Sequence, residues 1–253
     1  QAISNVVPRA DGYGPFPSLT SFTAALAEGN DIYTKVLLHF DGADASTTIT
    51  DDNAGGSAHT WTANGNAQID TAQSKFGGAS LLCDGTGDYV ATPDHADFNL
   101  GSAFIIDTRF FVASGDAGGV QLLLAGQMDS SATAASISFF IERQSTDTMR
   151  FIGRLNDLTQ ISLASSATYT GSTNPGWHHL AVTYEGTTVR LFIDGVQVAS
   201  QAASLPWNNS ANALSVGRGG EVVGSTWNGW IDEFRLSVGI ARWTSNFTPP
   251  GAA

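Results

Sequence analysis

The stretch WHHLAVTYEGTTVRLFIDGVQVAS, residues 177–200, carries the clearest structural signal in the chain. Its first two runs, Trp177–Tyr184 and Thr187–Asp194, have the length and residue types of strands. Only Glu185-Gly186 separates them, and Asp194-Gly195 then leads into a third run. Two-residue connections of this kind favour tight antiparallel hairpins. The stretch therefore predicts three consecutive strands of one antiparallel sheet.

Strand signals continue on both sides of this stretch. Phe104, Ile106, Thr108, Phe110 and Val112 alternate with a more mixed set of residues, which is the period of a strand with one apolar face. Other strand-like runs are Lys35–Phe40, Ala79–Cys83, Ser136–Arg143, Thr148–Leu155, Leu214–Gly217 and Trp227–Leu236. So many short strands, with almost no helical period, predict an all-β sandwich of two antiparallel sheets. With no break in composition after Tyr33, residues 33–253 are predicted to form one domain.

Residues 1–32 have a different composition and are predicted to form an extended N-terminal arm. Residues 7–17 hold three prolines and two glycines, which forbid a helix and discourage pairing inside a sheet. The apolar Val7, Tyr13 and Phe16 are too many for a passive linker, so the arm is expected to dock on another surface. A short helix is expected next, capped by Ser18 and ending at Gly29.

Bulk composition excludes several classes of function. Acidic residues number 23 against 11 Lys and Arg, which gives a net charge of −12. A surface this acidic repels phosphate backbones, so nucleic acid is not an expected partner. The single cysteine, Cys83, forms no intramolecular disulfide and is interpreted as a small buried apolar residue. No apolar stretch reaches the length of a membrane-spanning helix, so no membrane span is expected.

Three stretches together resemble the laminin-G-like, concanavalin-A-like jelly rolls. They are SKFGGASLLCDGTGDYVATPDHADFNLG (74–101), WHHLAVTYEGTTVRLFIDGVQVAS (177–200) and GWIDEFRLSVGIARWTSNFTPP (229–250). The resemblance lies in a Lys-Phe-Gly turn before an apolar strand, a central Trp-His-Leu hairpin and a closing Ile-Asp-Glu-Phe-Arg strand. It implies a two-sheet antiparallel jelly-roll sandwich, a fold that hosts lectins, hydrolases, adhesion modules and structural appendages.

The arm narrows the functional expectation. NVVPRADGYGPFPSL (5–19) is similar to the opening of tailed-bacteriophage virion proteins, in which such a motif precedes lectin-like domains. The chain is therefore expected to be a virion structural protein of the tail, fibre or capsid decoration, docked through its arm to other virion subunits. It would form a homo-oligomer, preferably a trimer, and meet host-surface glycans. The alternative is a carbohydrate-binding lectin module of a secreted or cell-surface protein.

No catalytic constellation is recognisable, so the chain is not expected to be an enzyme. Retaining glycosidases on this fold place their carboxylates in Glu-x-Asp-x-Glu spacing on one strand face, within reach of one sugar bond. None of the five Glu residues lies two or four positions from another. The five histidines include no pair at strand spacing, no second cysteine is present for zinc, and no Gly-x-Ser-x-Gly elbow occurs. A third hypothesis, a hydrolase built from distant loops, is the least favoured.

The resemblance also implies a structural Ca²⁺ that joins the first and last strands. Its ligands would be Asp41, at the end of the first strand, and Asp232, on the last, because Ca²⁺ prefers carboxylate and carbonyl oxygens. The alternative is structural. Asp41 would begin the Asp41-Gly42 turn, and Asp232 would pair with an arginine such as Arg235.

For a glycan, the predicted contact residues are Trp207, Asn208 and Asn209. Aromatic rings pack against the apolar faces of sugars, and side-chain amides hydrogen-bond to hydroxyls. Trp207 is the tryptophan expected to lie exposed in a loop. Trp177, Trp230 and Trp243 fall inside the motifs of the fold and are expected to serve packing.

Overall fold

The computed structural model describes residues 29–129, 131, 133–219 and 226–252. These residues form an all-β sandwich of two antiparallel sheets, as the sequence predicted, with only two short 3₁₀ turns, Ala96–Phe98 and Ala134–Ser136. The strands in chain order are β1 (Thr34–Leu38), β2 (Thr62–Asn64), β3 (Gln68–Asp70), β4 (Ser80–Asp84), β5 (Tyr89–Thr92), β6 (Ala103–Val112), β7 (Leu122–Gln127), β8 (Phe139–Arg143), β9 (Thr148–Arg154), β10 (Gln160–Thr168), β11 (Trp177–Glu185), β12 (Thr188–Ile193), β13 (Val196–Ala202), β14 (Leu214–Val216) and β15 (Asn228–Val238).

Strand order shows how the chain crosses between the sheets. The eight-stranded sheet runs β13-β12-β11-β6-β15-β4-β3, with β1 paired to β15, and the seven-stranded sheet runs β10-β9-β8-β7-β14-β5-β2. The last strand, β15, therefore lies in the middle of its sheet beside β6 and β4, and part of it pairs with β1. This arrangement brings the first and last strands of the domain together.

The core fills the space between the sheets, and β6 shows how the sequence selects its inner face. Phe104, Ile106, Phe110 and Val112 are buried in the main core cluster, as their period of two predicted. Burial of such side chains is the main force holding the two sheets together. Cys83 belongs to the same cluster, and burial raises the pKa of its thiol well above the usual value. This confirms that Cys83 is packed as an apolar residue.

The predicted hairpins are confirmed, and their turn residues explain them. β11 and β12 pair in register around Gly186, whose φ is +66°. Asp194 and Gly195 both have positive φ (51° and 78°), as expected for the two-residue turn that suits the twist of paired strands. Asp147 (φ 64°) closes the turn between β8 and β9.

The outer face of the eight-stranded sheet is partly covered by the chain that follows β15. Trp243 and Phe247 stack with their ring centroids 4.0 Å apart and their planes 4° from parallel. Beneath this segment, Arg235 donates two hydrogen bonds to the buried Asp107 carboxylate at 2.9 and 3.0 Å. Burial alone would raise the pKa of Asp107, but Arg235 and His179 outweigh it and hold that pKa well below its ordinary range. The Asp232–Arg235 pairing considered from the sequence is therefore replaced by Asp107–Arg235.

Most of the predicted arm, including Val7, Tyr13, Phe16 and the expected helix, lies outside the described residues. The part that is described is tied to the domain. Asp31 accepts two hydrogen bonds from Arg242, both at 3.0 Å. Within the described ranges, no helix has the length and apolarity needed to cross a membrane.

Candidate functional site

Backbone strain marks the place where the first and last strands meet. Phe40, just after β1, has φ +57°, and Glu233, in β15, has φ +53°. Non-glycine residues seldom adopt this conformation, which costs about 1–3 kcal/mol and tends to persist at functional sites. The register of β15 against β6 shifts between Asp232 and Arg235, as in a β-bulge. Such a bulge re-aims the side chains on either side of it.

Asp232 lies in this bulge and is fully buried. Its Oδ2 accepts hydrogen bonds from the backbone N–H groups of Lys75 (2.8 Å) and Phe76 (3.0 Å). Its Oδ1 is also buried and has no hydrogen-bond partner among the described residues. Buried polar atoms are nearly always satisfied, so this oxygen needs a partner that the described residues do not supply.

Asp41 reaches the same turn from the end of the first strand. A Cβ placed on Gly77 would lie 1.8 Å from Asp41 Oδ1, so the carboxylate rests directly on the Gly77 backbone. Gly77 also has φ +59°, and both features require glycine there. The Lys-Phe-Gly turn thus contacts both predicted ligands, Asp41 through Gly77 and Asp232 through the two preceding amides.

The electrostatics of this cluster are unfavourable to negative charge. Burial, together with the nearby Glu233 and Asp41 carboxylates, raises the pKa of Asp232 to about 7. Burial also raises the pKa of Asp41, with Glu233 and Asp52 adding to the effect. Positive charge comes from His39, whose Nδ1 lies 2.9 Å from Glu233 Oε1, and from Arg109, which interacts electrostatically with Glu233 and Asp232. The cluster still holds more carboxylates than cationic partners.

These features fit a hard cation such as Ca²⁺. Asp232 Oδ1 and the Asp41 carboxylate are oxygen donors of the kind that Ca²⁺ takes, and backbone carbonyls and water would complete its shell. The three carboxylates of the cluster do not form a close set of three ligand atoms. Among the described residues, the one such group is formed elsewhere by His59, His95 and Asp97.

The predicted exposure of Trp207 is wrong. The residue is 4% exposed, and its ring packs edge-to-face on Phe104 and Tyr184, with centroids 5.2 and 5.1 Å away. Its neighbour Asn208 is half-buried and donates its amide hydrogens to two backbone carbonyls, whereas Asn209 is exposed. Large apolar rings gain more from burial than from a loop position, so Trp207 completes the core instead of forming a platform.

Packing was also predicted for three other tryptophans. Trp243 is buried, whereas Trp177 and Trp230 are half-buried on the outer face of the eight-stranded sheet. Both rings pack edge-to-face against Phe111 between them, at 5.6 and 5.5 Å. The packing prediction is confirmed, although two of the three rings keep part of their surface exposed.

A groove on the outer face of the seven-stranded sheet is a better candidate for a ligand site than the buried Trp207. It has a volume of about 520 Å³ and lies over β2, β5 and β14. Thr62, Ala91 and Ser215 are neighbours in register across these strands. The other lining residues are Asn64, Tyr89, Thr92, Pro93, Ala213 and Arg218.

One charged side chain, Arg218, and one aromatic side chain, Tyr89, lie next to each other in this groove. The Arg218 guanidinium lies 3.9 Å from the centre of the Tyr89 ring, in cation–π contact. Tyr89 in turn pairs across the sheet with Asn64. Sequence reasoning missed this groove because its residues come from three strands far apart in the chain. The one local indication is that Tyr89 and Ala91 alternate with the buried Val90, which places both on the outer face of β5.

Several solved structures share the fold of this chain. The binding domain of Paraclostridial Mosquitocidal Protein 1 superposes with a TM-score of 0.63 at 15% identity, covering 83% of this chain and 50% of that chain. The receptor-binding domain of botulinum neurotoxin D gives a TM-score of 0.61 at 12% identity, covering 85% and 51%. The botulinum neurotoxin serotype D ligand-binding domain in complex with N-acetylneuraminic acid gives 0.60 at 13%, covering 83% and 49%.

At these identities the likeness shows the fold alone, and the chain spans about half the length of these structures. Among curated proteins, none matches the sequence. A family model does match, over residues 84–239, which is more than half of the chain. That stretch runs from the end of β4 to the end of β15 and includes Asp232 and most of the groove. The chain belongs to the concanavalin A-like lectin/glucanases superfamily.

Proposed function

We propose that this protein is a carbohydrate-binding module that holds its ligand in the groove over β2, β5 and β14. The observation that carries the proposal is the convergence of a ring, a guanidinium, an amide and hydroxyls in one concave surface. Ligand sites are typically concave and combine apolar walls with a few polar groups that fix orientation. The superfamily and the sugar-bound botulinum domain support a carbohydrate as the ligand class.

The chemistry of the groove suits an oligosaccharide. Thr62 and Asn64, which keep exposed surface, supply donors and acceptors that recognise hydroxyls. Tyr89 supplies an apolar surface, and Arg218 supplies a planar, charged guanidinium that rests against it. Rigid strands hold the floor of the groove, which limits the conformational entropy lost on binding.

A glycan array with the purified protein tests the proposal, followed by titration of the best ligand. Arg218→Ala and Asn64→Ala should each weaken binding about tenfold, equivalent to about 1.4 kcal/mol. Arg190→Ala is the matched control, since Arg190 lies on β12 of the other sheet and should leave affinity unchanged. Equal losses in the control and groove variants, or no glycan bound at all, would refute this assignment.

We infer that the module binds without catalysis, and the surroundings of its glutamates support this. Glu142 is buried and bonded to Arg150 and Gln121, and Glu233 is held by His39. A glycosidase needs two carboxylates facing one sugar bond. None of the residues lining the groove is acidic.

We propose further that Asp41 and Asp232 bind a structural Ca²⁺ between the first and last strands. The unsatisfied Asp232 Oδ1 and the close approach of Asp41 to Gly77 support this. The ion would neutralise the crowded carboxylates and fix the strained turn. Adding Ca²⁺ to chelator-treated protein should raise the melting temperature, and Asp41→Asn should abolish that rise. An unchanged melting temperature in the original sequence contradicts the site.

The setting in which the module acts is proposed from the arm. The motif at residues 5–19 supports display on a phage virion, with Val7, Tyr13 and Phe16 docking on neighbouring subunits of a homo-oligomer, preferably a trimer. Host-surface glycans would then be the ligands of the groove. A secreted or cell-surface lectin module remains the alternative, and it predicts a monomer that binds glycans equally well without the arm.

A further inference from the structure

A second polar cluster lies at a different place in the fold, where the chain before β2 meets the 3₁₀ turn after β5. His59 Nε2 is 3.4 Å from Asp97 Oδ2, and His95 Nδ1 is 3.1 Å from the same oxygen. One ligand atom from each of the three residues falls within 4.8 Å of the other two. We propose that His59, His95 and Asp97 bind a divalent transition-metal ion of the zinc class.

The distances suit such an ion. Zn²⁺ binds imidazole nitrogen and carboxylate oxygen at about 2.0–2.2 Å in a tetrahedron, which separates neighbouring ligand atoms by about 3.3 Å. The two distances in the cluster lie on either side of this value. Imidazole ligands favour zinc and its neighbours in the transition series over Ca²⁺, which prefers oxygen alone.

A carboxylate hydrogen-bonds to the His59 ring and orients it as a metal ligand. Its Nδ1 lies 2.8 Å from Asp51 Oδ2, and Asp51 Oδ1 accepts a hydrogen bond from the Leu37 backbone N–H at 2.9 Å. With Nδ1–H donated to Asp51, the lone pair of the ring is on Nε2. This carboxylate–histidine arrangement is typical of metal ligands, because it fixes both ring orientation and tautomer.

The other ring nitrogen of His59, Nε2, is the atom that lacks a partner among the described residues. The His59 side chain is 3% exposed, and its Nε2 is buried without a hydrogen-bond partner among the described residues. A direct hydrogen bond to Asp97 would satisfy Nε2, but the two atoms are too far apart for a good one. A metal ion between them satisfies both groups at once.

Asp97 and His95 differ in how firmly they are held. Asp97 Oδ2 accepts a hydrogen bond from the Ser57 backbone N–H at 2.6 Å, which links the two chain segments. The Nδ1 of His95 accepts the Asp97 N–H at 3.1 Å, a contact that metal binding would have to replace. The His95 side chain is 41% exposed, so its ring has room to turn and leaves a coordination position open to water.

The proposed metal site lies next to the groove over β2, β5 and β14 in the sequence, so a bound ion would affect the groove. His59 precedes Thr62 by three residues, and His95 follows Pro93 by two; Thr62 and Pro93 both line the groove. A metal ion would therefore clamp the two segments that lead into it. The site does not depend on the groove's function, because its ligands are not among the lining residues.

The experiment uses the full chain, stripped with a chelator and titrated with Co²⁺ and then Zn²⁺. Co²⁺ should give visible absorption bands of four- or five-coordinate geometry, and Zn²⁺ should displace it with one ion bound per chain. His59→Ala and His95→Ala should abolish the bands. Asp51→Asn should weaken zinc affinity about 10–100-fold, as second-sphere changes do.

The matched control is His178→Ala, since His178 also pairs with a carboxylate, Asp194, at 2.7 Å but belongs to no three-ligand group within the described part of the chain. It should bind Co²⁺ like the original sequence. Circular dichroism identifies any variant that fails to fold. His95→Ala should fold normally, because the His95 side chain is largely exposed. No Co²⁺ bands in the original sequence, or bands that persist in folded His95→Ala and His59→Ala proteins, would overturn the site.

Discussion

At the scale of single residues, Asp232 shows how one side chain links strain, burial and charge. One oxygen of its carboxylate accepts hydrogen bonds from two backbone N–H groups, and the other has no hydrogen-bond partner among the residues that the structure describes. The arrangement keeps one oxygen free beside Asp41, at a cost that a bound cation would offset.

Removing any cation makes Asp232 a source of pH-dependent stability. Its pKa in the folded protein is about 7, above the usual value of 3.8, so the folded state holds this proton more tightly than the unfolded state does. Stability from this group is then fully present below about pH 4 and is lost as the pH rises through about 7. In chelator, the free energy of unfolding should fall over this window by roughly 2–4 kcal/mol.

Urea unfolding at a series of pH values measures this fall. Asp232→Asn is the informative variant, because its amide oxygen can still accept the two backbone hydrogen bonds while the group no longer titrates. It should flatten the profile between pH 4 and 8 and make the metal-free protein more stable at pH 8. A slope as steep in Asp232→Asn as in the original sequence would mean that other groups cause it.

Prediction of single residues from the sequence failed where packing decides their environment. Asp41 and Asp232 were predicted as ligands from the family resemblance, and the structure brings both to the Lys-Phe-Gly turn, whereas the bound ion stays a prediction. Trp207 sits in a polar loop sequence, yet its ring fills the end of the core. His59 and His95 are 36 positions apart, and no spacing rule pairs residues across two loops.

At the scale of elements, the segment after β15 is an integral part of the sheet it covers. It lies over buried Ile105, Ala181 and Phe192, which face away from the main core. Without this cover, the eight-stranded sheet would expose apolar side chains together with the Asp107–Arg235 ion pair. The sequence predicted β15 closely and predicted that Trp243 serves packing, but it did not show that the turn after β15 covers a second, smaller core.

Trp243→Ala tests the importance of that cover. The ring is 7% exposed and packs on Phe247 and His179. Its loss should destabilise the domain by about 3 kcal/mol, as for other buried aromatic side chains. Chemical unfolding should show a lower midpoint with an unchanged slope. Thr244→Ala, at the exposed neighbouring position, is the control, and an equal effect of both changes would contradict the role of the ring.

Strands differed in how well the sequence predicted them, for physical reasons. β11 and β12 have clear turns on both sides and were located almost to the residue. β7, Leu122–Gln127, is buried along its whole length, so it shows no alternation. β2 and β3 have three residues each, too few for a periodic signal, and acquire their strand conformation by pairing with β5 and β4.

At the scale of the whole molecule, the described domain has an anchor point for the arm. Asp31 is bonded to Arg242, and Asn30 receives the Ala54 backbone N–H at 2.7 Å. The chain is therefore fixed to the sandwich from about residue 30 onward.

Removing the arm separates docking from folding. Each of Val7, Tyr13 and Phe16 gains about 1.5–3 kcal/mol when fully buried, whereas ordering each backbone residue costs about 1–2 kcal/mol. A proline-rich segment loses less entropy on ordering, so docking in a groove of a neighbouring subunit is feasible, while folding by itself is marginal. A closed symmetric oligomer repeats that contact around its axis.

A chain shortened to begin at Gly29 keeps the Asp31–Arg242 and Asn30–Ala54 contacts. It should therefore melt like the full chain at the same subunit concentration, apart from any stability that assembly adds. It should lose oligomerisation, measured by sedimentation velocity. The full-length triple variant Val7→Ala, Tyr13→Ala, Phe16→Ala is the matched control and should lose it too, because it keeps the length of the arm but not its apolar groups. Should the shortened chain assemble like the full one, the arm is a linker, and the contacts that hold the oligomer lie on the sandwich itself.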